Sequence, residues 1–120
     1  MPNYVDGFVL PLPTKNLAAY RAMAGKAGKI WKEYGALDYW ECVGDDLEGK
    51  GMLSFTRLTK AKPEETVILA WIVYKSRKHR DQVNAKVMAD PRLAAMCDPK
   101  TPLFDFKKMA YGGFAAIVHR

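Results

Sequence analysis

Cysteine is scarce: Cys42 and Cys97 are the only two in the 120 residues. They make neither a disulfide framework nor a zinc ligand set. Long hydrophobic runs are missing too. The longest, Val67 to Tyr74, falls far short of the roughly 20 residues that cross a bilayer, so no membrane span is expected. No stretch joins a basic start to an apolar core and a small-residue cleavage site, so no secretion signal is expected either. There is no Gly-x-Ser-x-Gly around Ser54, no Gly-x-Gly-x-x-Gly and no phosphate loop, which removes the hydrolase and nucleotide signatures. Internal repeats, low-complexity tracts and linkers are absent. These absences leave a soluble protein of a reducing compartment, the cytoplasm, as the expectation.

What is present is an ordinary globular balance. Hydrophobic residues make up 49% and charged residues 27%, enough apolar surface to offset the entropy of ordering the chain. The length suits one domain over residues 1–120. Lys and Arg outnumber Asp and Glu by 19 to 13, for a formal charge of +6.

The first run, Tyr4 to Leu10, is β-branched and aromatic and reads as a strand, closed by Pro11 and Pro13. From about Thr14 to Tyr34 the residues Leu17, Tyr20, Ala24, Ala27, Trp31 and Tyr34 recur at steps of three and four, the apolar stripe of a helix. Thr14 is the expected N-cap and Gly35 the expected stop. Gly25 and Gly28 inside this helix cost about 1 kcal/mol each relative to Ala, which close packing on something flat would explain. Ala36 to Val43 reads as a second strand. Gly44 to Glu65 is too long for a plain hairpin loop and is expected to cover a cleft or an interface, with a short strand near Met52 to Arg57. Thr66 to Tyr74 is the clearest strand. Ser76 caps a helix to about Ala89, Asp90 and Pro91 restart a short piece over Arg92 to Cys97, Asp98 to Ala110 is a loop, and Tyr111 to His119 is the last strand.

The order β-α-β-β-α-β is the ferredoxin-like arrangement, an α+β fold with both helices on one face of an antiparallel sheet. Val67, Leu69, Trp71 and Val73 then lie on one side of the third strand, and Ile68, Ala70, Ile72 and Tyr74 on the other. A half-solvated sheet would carry polar residues on its outer face. Here both faces are apolar, so a second copy packed sheet to sheet, a homodimer, is expected.

Several blocks carry a family resemblance: Tyr4 to Pro11, Tyr39 to Cys42, Trp71 to Arg77, Arg80-Asp81, Asn84 to Arg92, and Met109 to Phe114. In order and spacing they resemble the YbaA-like family, a bacterial group of unknown function in the dimeric α/β-barrel superfamily. The resemblance spans nearly the whole chain. It implies a dimer whose two sheets curl into one barrel. The wider superfamily includes cofactor-free monooxygenases, haem-degrading enzymes, lactone isomerases and binding proteins, so the fold does not select a chemistry.

The candidate site is a cleft between the second long helix and the sheet. His79 is the acid–base candidate, because histidine titrates near neutral pH, and Asn84 is its catalytic companion. Arg80 and Met88 would wall the cleft, with Trp71 or Tyr39 at its floor, as substrate-binding groups. A few polar groups on apolar walls are what small-ligand sites need. Asp6 and Glu41 lie in apolar strands, where a carboxylate is expensive unless paired; Arg57, Arg80 and Lys75 are the candidate partners. His119 is penultimate and poorly placed for chemistry. No residue pattern calls for a metal or cofactor.

Three functions compete: a dimeric protein that binds or converts a small hydrophobic molecule; its enzymatic form, a cofactor-independent monooxygenase or isomerase; and a nucleic-acid-associated protein using the basic run Lys75 to Arg80. The last is the weakest, because exposed aromatics are not interleaved with those charges.

Overall fold

A computed structural model of the chain describes residues 3–96 and 99–120. Strand β1 (Tyr4–Pro13) leads through a 3-10 turn (Thr14–Asn16) into helix α1 (Leu17–Glu33). Then come β2 (Asp38–Val43), the single-turn α2 (Phe55–Leu58), β3 (Glu65–Tyr74), α3 (Arg77–Ala89), the short α4 (Pro91–Ala95) and β4 (Ala110–Ala115). The four strands form one antiparallel sheet in the order β2-β3-β1-β4. This is the ferredoxin-like α+β arrangement. The sheet of the single chain is open and closes no barrel.

The register divides the side chains as period-two alternation requires. Leu10, Leu12, Ile68, Ala70, Ile72 and Tyr74 are buried under the helices, which contribute Tyr20, Ala24 and Ile30 from α1 and Val83 and Val87 from α3. The opposite face carries Val5, Val9, Trp40, Leu69, Trp71, Val73 and Phe114. Trp40 stacks on Trp71 at 5.7 Å and 12°, yet Trp40 is still 50% exposed and Phe114 62%. Val67 and Pro11 at one end of this face are buried, but across Leu69, Trp40 and Phe114 it stays open in the single chain among the described residues.

Several local expectations need correction. Pro11 does not end the first strand; β1 runs through it and closes at Pro13. β4 stops at Ala110, opposite Val9, so beyond that point β1 has a free side. The N–H of Thr14 donates to Glu64 on the β3 side (3.0 Å), so the odd-numbered backbone nitrogens, those of Pro11 and Pro13, face the free side. Proline therefore removes no ladder bond there. Thr14 does not cap α1 but opens the 3-10 turn, and the side chain of Asn16 donates instead to the Leu103 carbonyl (2.8 Å). The expected strand near Met52 to Arg57 is the helical turn α2, whose N–H of Arg57 is capped by Ser54 (3.1 Å). The last strand ends at Ala115, short of His119.

Other signals stand. Gly35 ends α1 with φ +113, a left-handed conformation that only glycine adopts without strain. Ser76 accepts from the N–H of His79 (3.1 Å) and Asp90 from that of Arg92 (2.8 Å), capping α3 and α4. The expected end of the short helix at Cys97 lies outside the described residues. No helix among the described residues is long and apolar enough to cross a membrane.

Candidate functional site

The sheet's one buried carboxylate among the described residues is Asp6, in β1 on the helix-facing side, 1% exposed. An ionised group there is tolerable only when paired. Arg80 reaches down from α3 and places Nη1 2.7 Å from Asp6 Oδ1. The same guanidinium donates from Nε to Asp81 (2.8 Å) and from Nη1 to the Tyr111 hydroxyl (3.0 Å), and it lies 5.0 Å over the Tyr4 ring. Burial works against its charge, but Asp81 and Asp6 outweigh that and hold it above its ordinary value. Burial and the Asp6 charge push the Tyr111 phenol up, against the opposing pull of Arg80.

Asn84, one turn beyond Arg80, joins this pair to the core. Its Oδ1 accepts from Trp31 Nε1 (3.0 Å) and from the Tyr74 hydroxyl (3.1 Å), and its Nδ2 donates to Asp6 Oδ2 (3.4 Å). Burial, and then the charge of Asp6, raise the Tyr74 phenol, so it remains a donor. Among the described residues no buried side-chain polar atom is left without a partner. Among the described residues Arg80 Nη2 has no hydrogen-bond partner, and since no buried side-chain polar atom there lacks one, it reaches the surface. Arg80 lines a cleft of about 610 Å³ together with Tyr4, Arg77, Asp81, Asn84, Met88 and Tyr111.

Of the residues expected in this cleft, Arg80, Asn84 and Met88 meet there, and three others are elsewhere. Trp71 pairs in register with Gly7 and Trp40, which puts it on the opposite face of the sheet. Tyr39 is on the helix side but on the edge strand, packed 6.0 Å from Trp31 under α1. His79 turns back from the first turn of α3: its Nδ1 accepts the N–H of Lys75 (3.0 Å), and its ring sits edge-on to Tyr74. Helical spacing alone could not show that a ring one position before Arg80 folds away from it. Tyr111 and Arg77 were not anticipated. The available signal for Tyr111 was its place in the last strand, on the same face as Asp6. The segment Gly44 to Glu65 lines neither this cleft nor the groove between α1 and β2, so it covers neither of them.

A second constellation lies between α1 and β2. Glu41 in β2 accepts from the Tyr20 hydroxyl at Oε1 and from the Tyr39 hydroxyl at Oε2, each at 2.7 Å. Burial, reinforced by the Glu41 charge, drives both phenols far up. Gly28 lets α1 settle on the Tyr39 ring; a Cβ there would come within 2.7 Å of it. The result is a long open groove of about 1540 Å³. No group of three or more His, Cys, Asp or Glu side chains among the described residues could hold a metal ion. In the basic run, Lys75, Arg77 and Lys78 are exposed, while Arg80 turns inward to Asp6.

The chain is 42% identical over 115 residues, covering 96% of itself and 97% of the relative, to the protein described as "Uncharacterized protein YbaA" from Escherichia coli K12, and equally to that of Shigella flexneri. Among solved structures it is similar to a NIPSNAP family protein of unknown function from Agrobacterium tumefaciens (TM-score 0.59, 16% identity, 95% of this chain and 87% of that one). It is also similar to a dimeric ferredoxin-like protein from an uncultured marine organism (TM-score 0.56, 11% identity, 98% and 96%). At such identities these structures speak for the fold alone. The sequence profile of the family described as "Protein of unknown function (DUF1428)" matches residues 3–106, and with the YbaA relatives this places the chain in that family, to which it belongs.

Proposed function

We propose that the protein is a homodimer that binds a small, largely apolar molecule in the cleft between α3 and the sheet. One observation carries the reading: a buried Asp6–Arg80 pair, fixed by Asn84, whose remaining guanidinium donors face a cleft with Met88 and Tyr4 on its walls. A pre-oriented guanidinium is a rigid two-donor fork for a carbonyl or carboxylate oxygen. Tyr4, Ala85 and Met88 would hold the apolar part of the ligand beside the charged Arg77 and Asp81, and the cleft's size suits a small molecule. Asn84 acts as a positioning residue, since its carbonyl is occupied by Trp31 and Tyr74. The uncovered sheet face, with exposed Met52, Leu53 and Phe55 in the Gly44–Glu65 segment, supports a second copy packed sheet to sheet, with that segment at the seam. This reading favours binding over acid–base chemistry, because both carboxylates at the cleft, Asp81 on its wall and Asp6 beneath it, are paired with Arg80. A cofactor-independent oxygenase or isomerase is the enzymatic alternative; it would need a free base, and the carboxylate on the cleft wall, Asp81, is tied to Arg80.

The test is an NMR titration with a panel of small aromatic carboxylic acids and ketones. Binding at this site shifts Arg80 Nε–Hε, Asn84 Nδ2–H₂ and the Met88 methyl together, and Tyr111→Phe or Met88→Ala weakens it. Shifts from the whole panel that spare these three groups would overturn the assignment.

A further inference from the structure

The groove between α1 and β2 is separate from the α3 cleft and shares none of its wall residues. Its floor is apolar, with Leu17, Ala24, Val43 and Ile68 among its residues, and Glu41 is set into it. That carboxylate is unusual in its partners. Asp6 has an arginine; Glu41 has two tyrosine hydroxyls and, among the described residues, no cation within 4 Å. An ionised carboxylate offers about four acceptor positions, and the phenols fill one on each oxygen. The groove's lining holds two carboxylates, Asp38, exposed at the start of β2, and Glu41, the one set between the two phenols. Tyr20 and Tyr39 cannot relieve the charge by giving up protons, because burial keeps both phenols neutral. The site therefore lacks a hydrogen-bond donor carried on an apolar body.

We infer that this groove binds a neutral, flat aromatic or enolic molecule through its hydroxyl, which donates to Glu41 between the hydroxyls of Tyr20 and Tyr39 while its rings lie on the alanine-rich floor of α1. A carboxylate ligand is disfavoured at the floor by like charge, although Lys15, Lys26 and Lys29 on the rim would attract it. An ether of the same shape fills the groove but offers no donor. A donor to a charged acceptor in a partly desolvated site is discriminated from its ether by about tenfold or more in Kd.

The probes are 2-naphthol, 2-methoxynaphthalene and 2-naphthoate, each titrated into the full chain and followed by backbone NMR shifts and by fluorescence of Trp31, which packs on Tyr39. The expected result is shifts at Ala24, Tyr39, Glu41 and Val43, with 2-naphthol binding about tenfold or more tightly than the other two. Glu41→Gln, which keeps shape and one acceptor, should erase most of that preference, and Tyr20→Phe, which frees an acceptor position, should preserve it. Equal affinity for naphthol and its methyl ether overturns the inference. So does a preference that survives Glu41→Gln, or shifts confined to Arg80, Asn84 and Met88, a result that would leave the α3 cleft as the ligand site.

Discussion

At the residue scale, the two carboxylates on the helix side of the sheet are held by different chemistry, and perturbation should separate them. Arg80→Met leaves Asp6 buried without its partner, and such a loss costs about 3–5 kcal/mol. Urea unfolding should report a fall of that size, and Asp6→Asn in the Arg80→Met background should recover a large part of it. A loss below about 1 kcal/mol would mean that the pair is solvated in solution. The tyrosines make a second prediction at this scale. Tyr20, Tyr39 and Tyr74 have phenols raised in the folded state, chiefly by burial. A group whose folded value lies above its unfolded value near 10 stabilises the fold fully below that value and loses this contribution as pH climbs through and beyond it. Thermal stability should therefore drop steadily above about pH 10. An absorbance titration at alkaline pH should show these three phenols ionising only as the protein unfolds, and early, reversible ionisation of all six tyrosines would contradict the network.

At the scale of the elements, α1 contains its own internal control. Gly25 and Gly28 are both helix-interior glycines, which a packing explanation from sequence treats alike. In the fold a Cβ at Gly25 meets nothing within 4 Å, while one at Gly28 meets the Tyr39 ring. Gly25→Ala should stabilise the protein by about 1 kcal/mol through helix propensity. Gly28→Ala should destabilise it, because the Tyr39 ring must move and loosen its bond to Glu41. Calorimetric melting temperatures that shift in the same direction for both would refute the packing. The contrast also marks what periodicity can and cannot reveal. The stripe of α1, the caps at Ser76 and Asp90, the stop at Gly35 and the two faces of β3 were readable, because each rests on local spacing or backbone chemistry. The cleft was readable only on its helix side, where Arg80, Asn84 and Met88 share one face of α3. Its opposite wall was not, since Tyr111 arrives from the far end of the chain by a pairing of β4 with β1 that no local signal encodes. Trp71 was misassigned to the floor because an aromatic on a doubly apolar strand looks equally suited to either face.

For the whole molecule, the outer face of the sheet has the largest consequences. Sedimentation at micromolar concentration should give about twice the mass of the chain, and a monomer there would remove the proposed assembly. Leu69, exposed on that face, is the place to test it: Leu69→Arg should yield a folded monomer with unchanged circular dichroism, because the single chain tolerates a charge at that position and a sheet-to-sheet interface does not. The prolines of β1 act on assembly in a different way. The apolar strand β1 is open to strand addition at its C-terminal end, because Leu10 to Pro13 lie beyond the pairing with β4. Pro11 and Pro13 withhold the two backbone donors that a foreign strand would need on that side, so the sheet cannot be lengthened there by accidental recruitment of another molecule. Replacing them with Val and Thr should preserve the fold while raising light scattering on storage or mild heating, and a doubly substituted protein as clear as the parent would show that these prolines do not guard the strand.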